Sequence, residues 1–492
     1  MLLAAVLIPL FGALLAWWTN SVQRARTVGL GAAALTMLAA IGNLAQVLNG
    51  GPVVTAYFTG DAINALPMVI FGALTLATVA LLPQREMSPR VVAEVLFMLS
   101  ATLTAYTADH LALVWFAWLV ASLPMLLNRN HSTYARVVLL LSVVALGVAV
   151  IAIATAGTLD IAVLRETRSS PAGVWGFGLI VLAIALRKGI FPLHTWPASA
   201  LEKGPLLPAA LLINGHLGAF LLARVALPLY PAITRESVPG LSEFALFTAA
   251  LAALAALAER SPRRVLGLVL VSQASMVLTG LESMTPEGAT GALVHWMVVA
   301  TATTGLVGVY QALESRVDQL GLRSGFLGLG NVAPRLSVYF VVCGLALVGL
   351  PGTLGFAAED LLLQGTLKSH PWIGLALPIS TALNAFNIFR LFARLFMGRP
   401  ILPSSGTPAG SLDALPRERW ALAAIVVFLV AGGLLPGQLV KLQSSAADVI
   451  VAALTATPTP LIHTGAGGAA PQSPGRSSDP TILHRGGHPG VK

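Results

Sequence analysis

LRKGIFPLHTWP, Leu186 to Pro197, closes an apolar run that begins near Val174, and its reading decides the fold. Arg187, Lys188 and His194 stand there around Gly189 and Pro192. Proline removes a backbone donor and opens the helix ladder. In lipid, such a break survives only where protein buries it or a polar cavity faces it. The stretch therefore predicts a membrane helix interrupted beside charged groups. A second interruption is predicted at LPGTLGF, Leu350 to Phe356, around Pro351, inside an unusually long apolar run over 335–367.

The rest of the chain agrees with a membrane setting. Of 492 residues, 56% are hydrophobic and 10% charged, with a mean hydropathy of +0.82, whereas a soluble domain has roughly a quarter of its residues charged. A spanning helix needs about 20 mostly apolar residues. Fourteen runs qualify, near 1–18, 26–48, 62–82, 91–107, 110–127, 134–156, 174–196, 205–230, 240–258, 263–282, 289–312, 335–367, 371–397 and 418–440. The first lacks a basic leader and a small-residue cleavage site and reads as a retained helix. The expectation is an all-α membrane protein of about fourteen transmembrane helices, broken in the seventh and twelfth. Breaks five helices apart suit two inverted five-helix repeats, about 91–230 and 240–397, with a site near the midplane. The transmembrane domain is expected over 1–456. Residues 457–492, rich in Pro, Gly and Ser, read as a disordered tail.

A net charge of +9 would suit nucleic acid if it were clustered on one surface, but it alternates between loops. One set of loops holds Arg24, Arg26, Arg85, Arg90, Arg129, Arg136, Lys203, Arg260, Arg263, Arg264, Arg316, Arg335, Arg399 and Arg417. By the positive-inside rule that side is cytoplasmic, in a cell inner or plasma membrane, and both termini face outward. No nucleic-acid partner is expected; the surroundings are the lipid bilayer. Cys343 is the single cysteine, which excludes an intrachain disulfide and an all-cysteine iron–sulfur centre. No strand precedes a phosphate-binding loop, and no His or carboxylate pair has metal-ligand spacing. No resident cofactor or metal and no catalytic centre are expected, so redox chemistry would belong to partner subunits.

Charges at midplane depth cost about 2.5–3.5 kcal/mol each on insertion scales, and Arg187, Lys188, His194, His216, Arg224, His295, Glu359, Asp360, Arg390 and Arg394 each require a reason. Arg224 and Arg394 lie toward helix ends, where snorkelling or an acidic loop accounts for them. Glu359 and Asp360 point about 100° apart, so only one can face a shared interior. His216 and His295 suit either interhelical hydrogen bonds or proton exchange. Proton or ion movement is the economical reading of the row.

Several motifs resemble, in order, the antiporter-like membrane subunits of respiratory complex I, its M-type subunit above all. These are WLVASLPM (Trp118 to Met125), FPLHTWPASALEKGP (Phe191 to Pro205), RVALPLYP (Arg224 to Pro231), SPRRVLGLVLVSQASM (Ser261 to Met276) and LPGTLGFAAED (Leu350 to Asp360). Related subunits occur in multisubunit Na+/H+ antiporters, membrane-bound hydrogenases and inorganic-carbon transporters. The resemblance implies proton transfer through a fifth-helix glutamate, seventh- and eighth-helix lysines, an eleventh-helix lysine or histidine and a twelfth-helix glutamate or lysine. Here the first falls on Leu119 and the second on Arg187, with Lys188 beside it. The third falls on His216, the fourth on Val299 with His295 one turn earlier, and the last on Glu359. Arginine holds its proton at any accessible pH, so Arg187 sets a field and Lys188 is the better carrier. Without the fifth-helix glutamate, Arg187 is expected to reach one of three things: a partner elsewhere in the protein, water, or a headgroup.

The expected pathway is thus Lys188, His216, Glu359 and His295, tuned by Arg187 and bent at Pro192 and Pro351. The resemblance implies partners among the other membrane subunits of a multisubunit complex and, peripherally, a soluble redox or zinc-containing subunit, with protons as cargo. Alternatives are a proton-coupled subunit of an inorganic-carbon uptake complex, a Na+/H+ antiporter subunit, and a scaffold that has lost conduction.

Overall fold

A computed structural model describes residues 1–155, 157–166, 171–317, 325–399 and 412–455; the expected tail, 457–492, lies outside the described residues. The chain is predominantly helical. The first helices are α1 (Leu2–Trp18), α2 (Val22–Gly50), α3 (Ala65–Leu81), α4 (Pro89–Thr107), α5 (Leu111–Leu127) and α6 (Thr133–Ala154). A short α7 (Ile161–Glu166) precedes α8 (Pro171–Lys188) and α9 (Trp196–Glu202). Next come α10 (Leu206–Asn214), α11 (Leu217–Leu221), α12 (Leu227–Leu229), α13 (Pro231–Ala258), α14 (Pro262–Glu282) and α15 (Pro286–Glu314). The last are α16 (Pro334–Leu347), α17 (Leu354–Ser369), α18 (Ala376–Phe396), α19 (Pro416–Leu434) and α20 (Pro436–Thr455). Among the described residues eight helical segments are long and apolar enough to cross a membrane, or nine if the bent pair α19–α20 is one span.

Local chemistry sets many of the helix starts. Pro89, Pro231, Pro262, Pro286, Pro334 and Pro416 each open a helix, where the missing amide hydrogen is not needed and the fixed φ is already helical. Ser88 and Thr285 cap two of these, accepting from the amides of Val91 and Gly288.

Both expected breaks are present. The first separates α8 from α9 across Gly189, at φ 70°, and a cis Phe191–Pro192 bond. The second separates α16 from α17 across Gly349 (φ 65°) and Gly352 (φ 91°). These positive φ values are open to glycine at no steric cost.

Four expectations need correction. The run 205–230 is not one helix: α10 ends at Asn214, His216 takes φ 46°, and a π-helical turn spans Leu222–Ala226 before α12. The run 418–440 is cut where Leu435 and Pro436 bend α19 from α20 by 86°, because Pro436 cannot continue the ladder. The ninth run starts at Pro231 rather than 240. A two-stranded hairpin, β1 (Val53–Val54) antiparallel to β2 (Thr59–Gly60), sits between α2 and α3, so the chain is not wholly without strands.

The core is built around α14 and α15, whose spanning windows are buried throughout. α13, α9 and α18 pack on α14, and α10, α16, α17 and α20 pack on α15. The basic loops meet on one face through ion pairs. Arg263 reaches Glu314 at 2.5 Å, Arg316 reaches Glu418 at 2.6 Å, and Arg264 reaches Glu202 at 3.1 Å. This is the basic face; Glu282 and Lys368 end their helices at the opposite one.

Candidate functional site

The first break places two buried bases in contact. α8 ends on Arg187 and Lys188, each 6% exposed. The Lys188 ammonium lies 2.7 Å from Nδ1 of His216. Gly218 makes this approach possible, since a Cβ there would stand 2.6 Å from Cγ of Lys188. The indole of Trp196, beyond the break, donates to the carbonyl of Leu186 at 2.7 Å and satisfies an acceptor that the end of α8 leaves open. A small enclosed cavity of about 10 Å³ touches Arg187, Lys188, Trp196, His216, Val271 and Ala274, about the space one water needs.

A further interruption, in the 206–229 segment, positions His216 itself. The Tyr106 hydroxyl donates to the carbonyl of Gly215. Asn214 donates to Thr304 at 3.0 Å and to the carbonyl of Ala300 at 3.2 Å, and accepts from Thr303 at 2.9 Å. These bonds tie the break to α15, and Trp296 of α15 lies with its ring 6.0 Å from the imidazole. The left-handed backbone at His216 is uncommon for a residue with a Cβ, and the surrounding hydrogen bonds hold it.

Of the three alternatives for Arg187, the structure shows a partner elsewhere in the protein. One of its terminal nitrogens donates to Ser122 at 2.7 Å, and its guanidinium carbon lies 4.6 Å from the centre of the Trp118 ring. Both partners come from WLVASLPM. Trp118 and Ser122 are four residues apart and share a face of α5, whereas Leu119 points about 100° away. A hydroxyl and an aromatic face thus take the place of a carboxylate, the latter through cation–π attraction.

Glu359 stands against the other break. One carboxylate oxygen would be 2.5 Å from a Cβ at Gly349, so glycine there leaves the room the carboxylate occupies. Its other oxygen is enclosed with no hydrogen-bond partner among the described residues. Asp360 faces outward and bonds Gln364 at 2.8 Å. His295 is fully buried in α15, with neither ring nitrogen partnered among the described residues. The structure brings Lys188 and His216 into direct contact; among the described residues no hydrogen bond joins either of them to His295 or Glu359.

Arg224 and Arg390 have structural partners, whereas Nδ1 of His194 has no hydrogen-bond partner among the described residues. Arg224 bridges Asp61 at 2.6 Å and Asp109 at 2.7 Å, and Arg390 donates to the carbonyls of Ala256 and Leu257 at the end of α13. Among the described residues no group of three or more His, Cys, Asp or Glu could hold a metal ion. Sequence reading passed over Glu282, the buried last residue of α14, because a carboxylate at the end of an apolar run reads as a loop residue. It also passed over Asn214 and Tyr106, which betray themselves only through the break they support.

Comparison with known proteins places this geometry. Residues 103–384 match the family described as NADH:quinone oxidoreductase/Mrp antiporter, TM. NADH-quinone oxidoreductase subunit 13 of Thermus thermophilus is 30% identical over 281 residues, 56% of this chain and 57% of that protein. Subunit M of Rickettsia conorii is 25% identical over 272 residues, 54% and 53% of the two chains. The match thus spans little more than half the length of these curated relatives. In fold, the chain is similar to a chain of respiratory complex I from Thermus thermophilus, with a TM-score of 0.81, 24% identity and coverage of 93% of this chain and 100% of that one. It is also similar to a chain of the Mrp complex from Dietzia sp., with a TM-score of 0.79, 20% identity and coverage of 92% and 100%. The family match takes in both breaks, the Lys188–His216 contact and Glu359, and the chain belongs to the NADH:quinone oxidoreductase/Mrp antiporter transmembrane family.

Proposed function

We propose that the chain is a proton-translocating, antiporter-like subunit of a complex I-like membrane assembly, with fourteen spans, two inverted five-helix repeats and both termini on the outer side. The observation that carries this reading is the direct contact between Lys188 and His216 beside a water-sized cavity at a helix break. Two groups able to hold and release a proton, 2.7 Å apart, are within direct transfer distance. A helix break is a point at which the chain can bend, the kind of movement that alternating access requires. Glu359, beside the second break, and His295 extend the row into the second half. Arg187, held on Ser122 and Trp118, supplies a fixed positive field.

In this reading the partners are the assembly's other membrane subunits. A peripheral redox subunit would drive movement of the breaks, and a soluble zinc-containing subunit would do so in an inorganic-carbon uptake complex. The test is proton flux in proteoliposomes holding the whole complex. Lys188→Ala and Glu359→Gln are each expected to abolish coupled flux while the complex assembles. Normal flux in both variants overturns the reading.

Leu119 favours a second reading, a scaffold without conduction, because α5 brings no carboxylate to Arg187. Normal flux in a complex with Lys188, His216, His295 and Glu359 all replaced by Ala supports it.

A further inference from the structure

α14 is enclosed on every side, yet four of its polar residues share one stripe, while Gln273, also buried, lies on another face. Ser272, Ser275, Thr279 and Glu282 are each 0% exposed and follow one another at spacings of 3, 4 and 3 residues, the repeat that keeps side chains on one helix face. On an α-helix at 100° per residue, Val271 and Leu278 lie beside this stripe. Val271 lines the cavity of Lys188 and His216, and Ser275 of the stripe donates to the Val271 carbonyl, which links the stripe to the cavity wall; Ser272 faces α13 and α18. From Val271 to Glu282 the helix climbs about 16 Å toward the opposite face.

The hydroxyls on the stripe are accounted for. Ser272 donates to the carbonyl of Ala249 at 2.8 Å and accepts from Asn384 at 2.8 Å. Ser275 donates to Val271 at 2.9 Å and Thr279 to Ser275 at 3.2 Å, both onto backbone carbonyls one turn back. Glu282 is different. Neither of its carboxylate oxygens has a hydrogen-bond partner among the described residues. It is also the last residue of α14, where unpaired carbonyls and the negative end of the helix dipole oppose an anion. The charged groups on elements packed at this end do not compensate it. Arg235, Glu236 and Glu243 of α13 are exposed, and Glu287 of α15 is paired with Lys368 of α17 at 2.6 Å. The turn after Glu282 runs through Met284 at φ 53°, a conformation of the kind that clusters at functional sites.

A carboxylate kept at such a cost, with no structural partner, has the character of a working group. We propose that Glu282 is the proton port between the Lys188–His216 site and the opposite face, reached along the polar stripe of α14. In each cycle an N–H bond at that site breaks and an O–H bond forms on Glu282. The carboxylate is restored when the proton passes to the aqueous side. The inference rests on the translocation reading above and assigns the group through which that site exchanges with the opposite face.

The experiment uses the complete complex in proteoliposomes, with Lys188→Ala measured in parallel. Glu282→Gln is expected to reduce coupled flux at least tenfold without lowering the thermal midpoint, and Glu282→Asp to recover part of the flux. Wild-type flux in Glu282→Gln, with flux abolished in Lys188→Ala, overturns the port and leaves the translocation reading standing; wild-type flux in Glu282→Gln, Lys188→Ala and Glu359→Gln alike overturns both. Should Glu282→Gln fail to assemble, the native complex decides. A hydrophobic carbodiimide, which reacts with the protonated carboxyl, is expected to form an adduct at Glu282 detectable by peptide mass spectrometry. Absence of that adduct overturns the port.

Discussion

Ser122 carries a role out of proportion to its size, because its hydroxyl is the hydrogen-bond partner of a buried guanidinium. Ser122→Ala leaves that nitrogen with nothing to accept from it, at a cost of about 1–3 kcal/mol. A lower thermal midpoint of the purified complex, with the helical circular dichroism retained, is the expected result. Gly218→Ala acts on the neighbouring cation. Its new Cβ meets the Lys188 stem at 2.6 Å, so overpacking of about 1–3 kcal/mol and a loss of proton flux are expected together. His131, in the loop between α5 and α6, donates from Nδ1 to the carbonyl of Lys203 at 3.1 Å. Burial lowers its pKa from the ordinary value, against the opposing pull of its backbone hydrogen bonds. A depressed histidine contributes stability that is present above the unfolded value of about 6.5 and is lost as pH falls toward the folded one. His131→Gln is expected to flatten that acid limb in thermal unfolding measured between pH 7.5 and 5.

At the scale of elements, the two breaks are made differently. The first loses its ladder to Pro192 and regains a donor from Trp196, while the second opens on glycines and admits a carboxylate. Gly349→Ala combines a strained positive φ with a clash against Glu359. It is expected to cost about 1–3 kcal/mol and to reduce flux more than Gly352→Ala, whose Cβ would meet nothing within 4 Å. Comparing the two by flux per assembled complex separates displacement of the carboxylate from backbone strain, which both share. Both breaks were legible in the sequence, because proline and glycine inside apolar runs have few other uses. The break at His216 was missed. No proline marks NGHLG, the Asn214–Gly215 turn signal was passed over inside a long apolar run, and the geometry is held by Tyr106, 109 residues before Gly215, and by α15, whose Ala300 lies 86 residues after Asn214.

Across the whole molecule, Arg224 links segments 163 and 115 residues apart in sequence. Its guanidinium joins the loop before α3 (Asp61) and the start of α5 (Asp109) to the π-helical turn behind His216. Thr59 of β2 donates to Asp109, which draws the hairpin into the same cluster. Arg224→Met strands two carboxylates that are 24% and 28% exposed. A loss of about 2–3 kcal/mol is expected, below that for a wholly buried pair because water reaches both acids. Thermal unfolding measures it, and the triple variant with Asp61→Asn and Asp109→Asn is expected to recover most of the loss.

The sequence by itself determined the membrane setting, the two proline breaks and the row of candidate carriers, since hydropathy, proline and buried charge are local properties that lipid makes costly to place wrongly. Only the tertiary structure decided which carriers meet. Lys188 and His216 are 28 residues apart and touch, because Gly218 lets one helix approach the other. Arg187 keeps to α5 through Ser122 and Trp118, although the carboxylate expected there is absent. Glu282 becomes a buried group because α14 is enclosed by neighbours that no single-helix pattern reveals. Contacts between distant helices depend on how small and large side chains fit across an interface, and that fit is a property of pairs of segments rather than of any one of them.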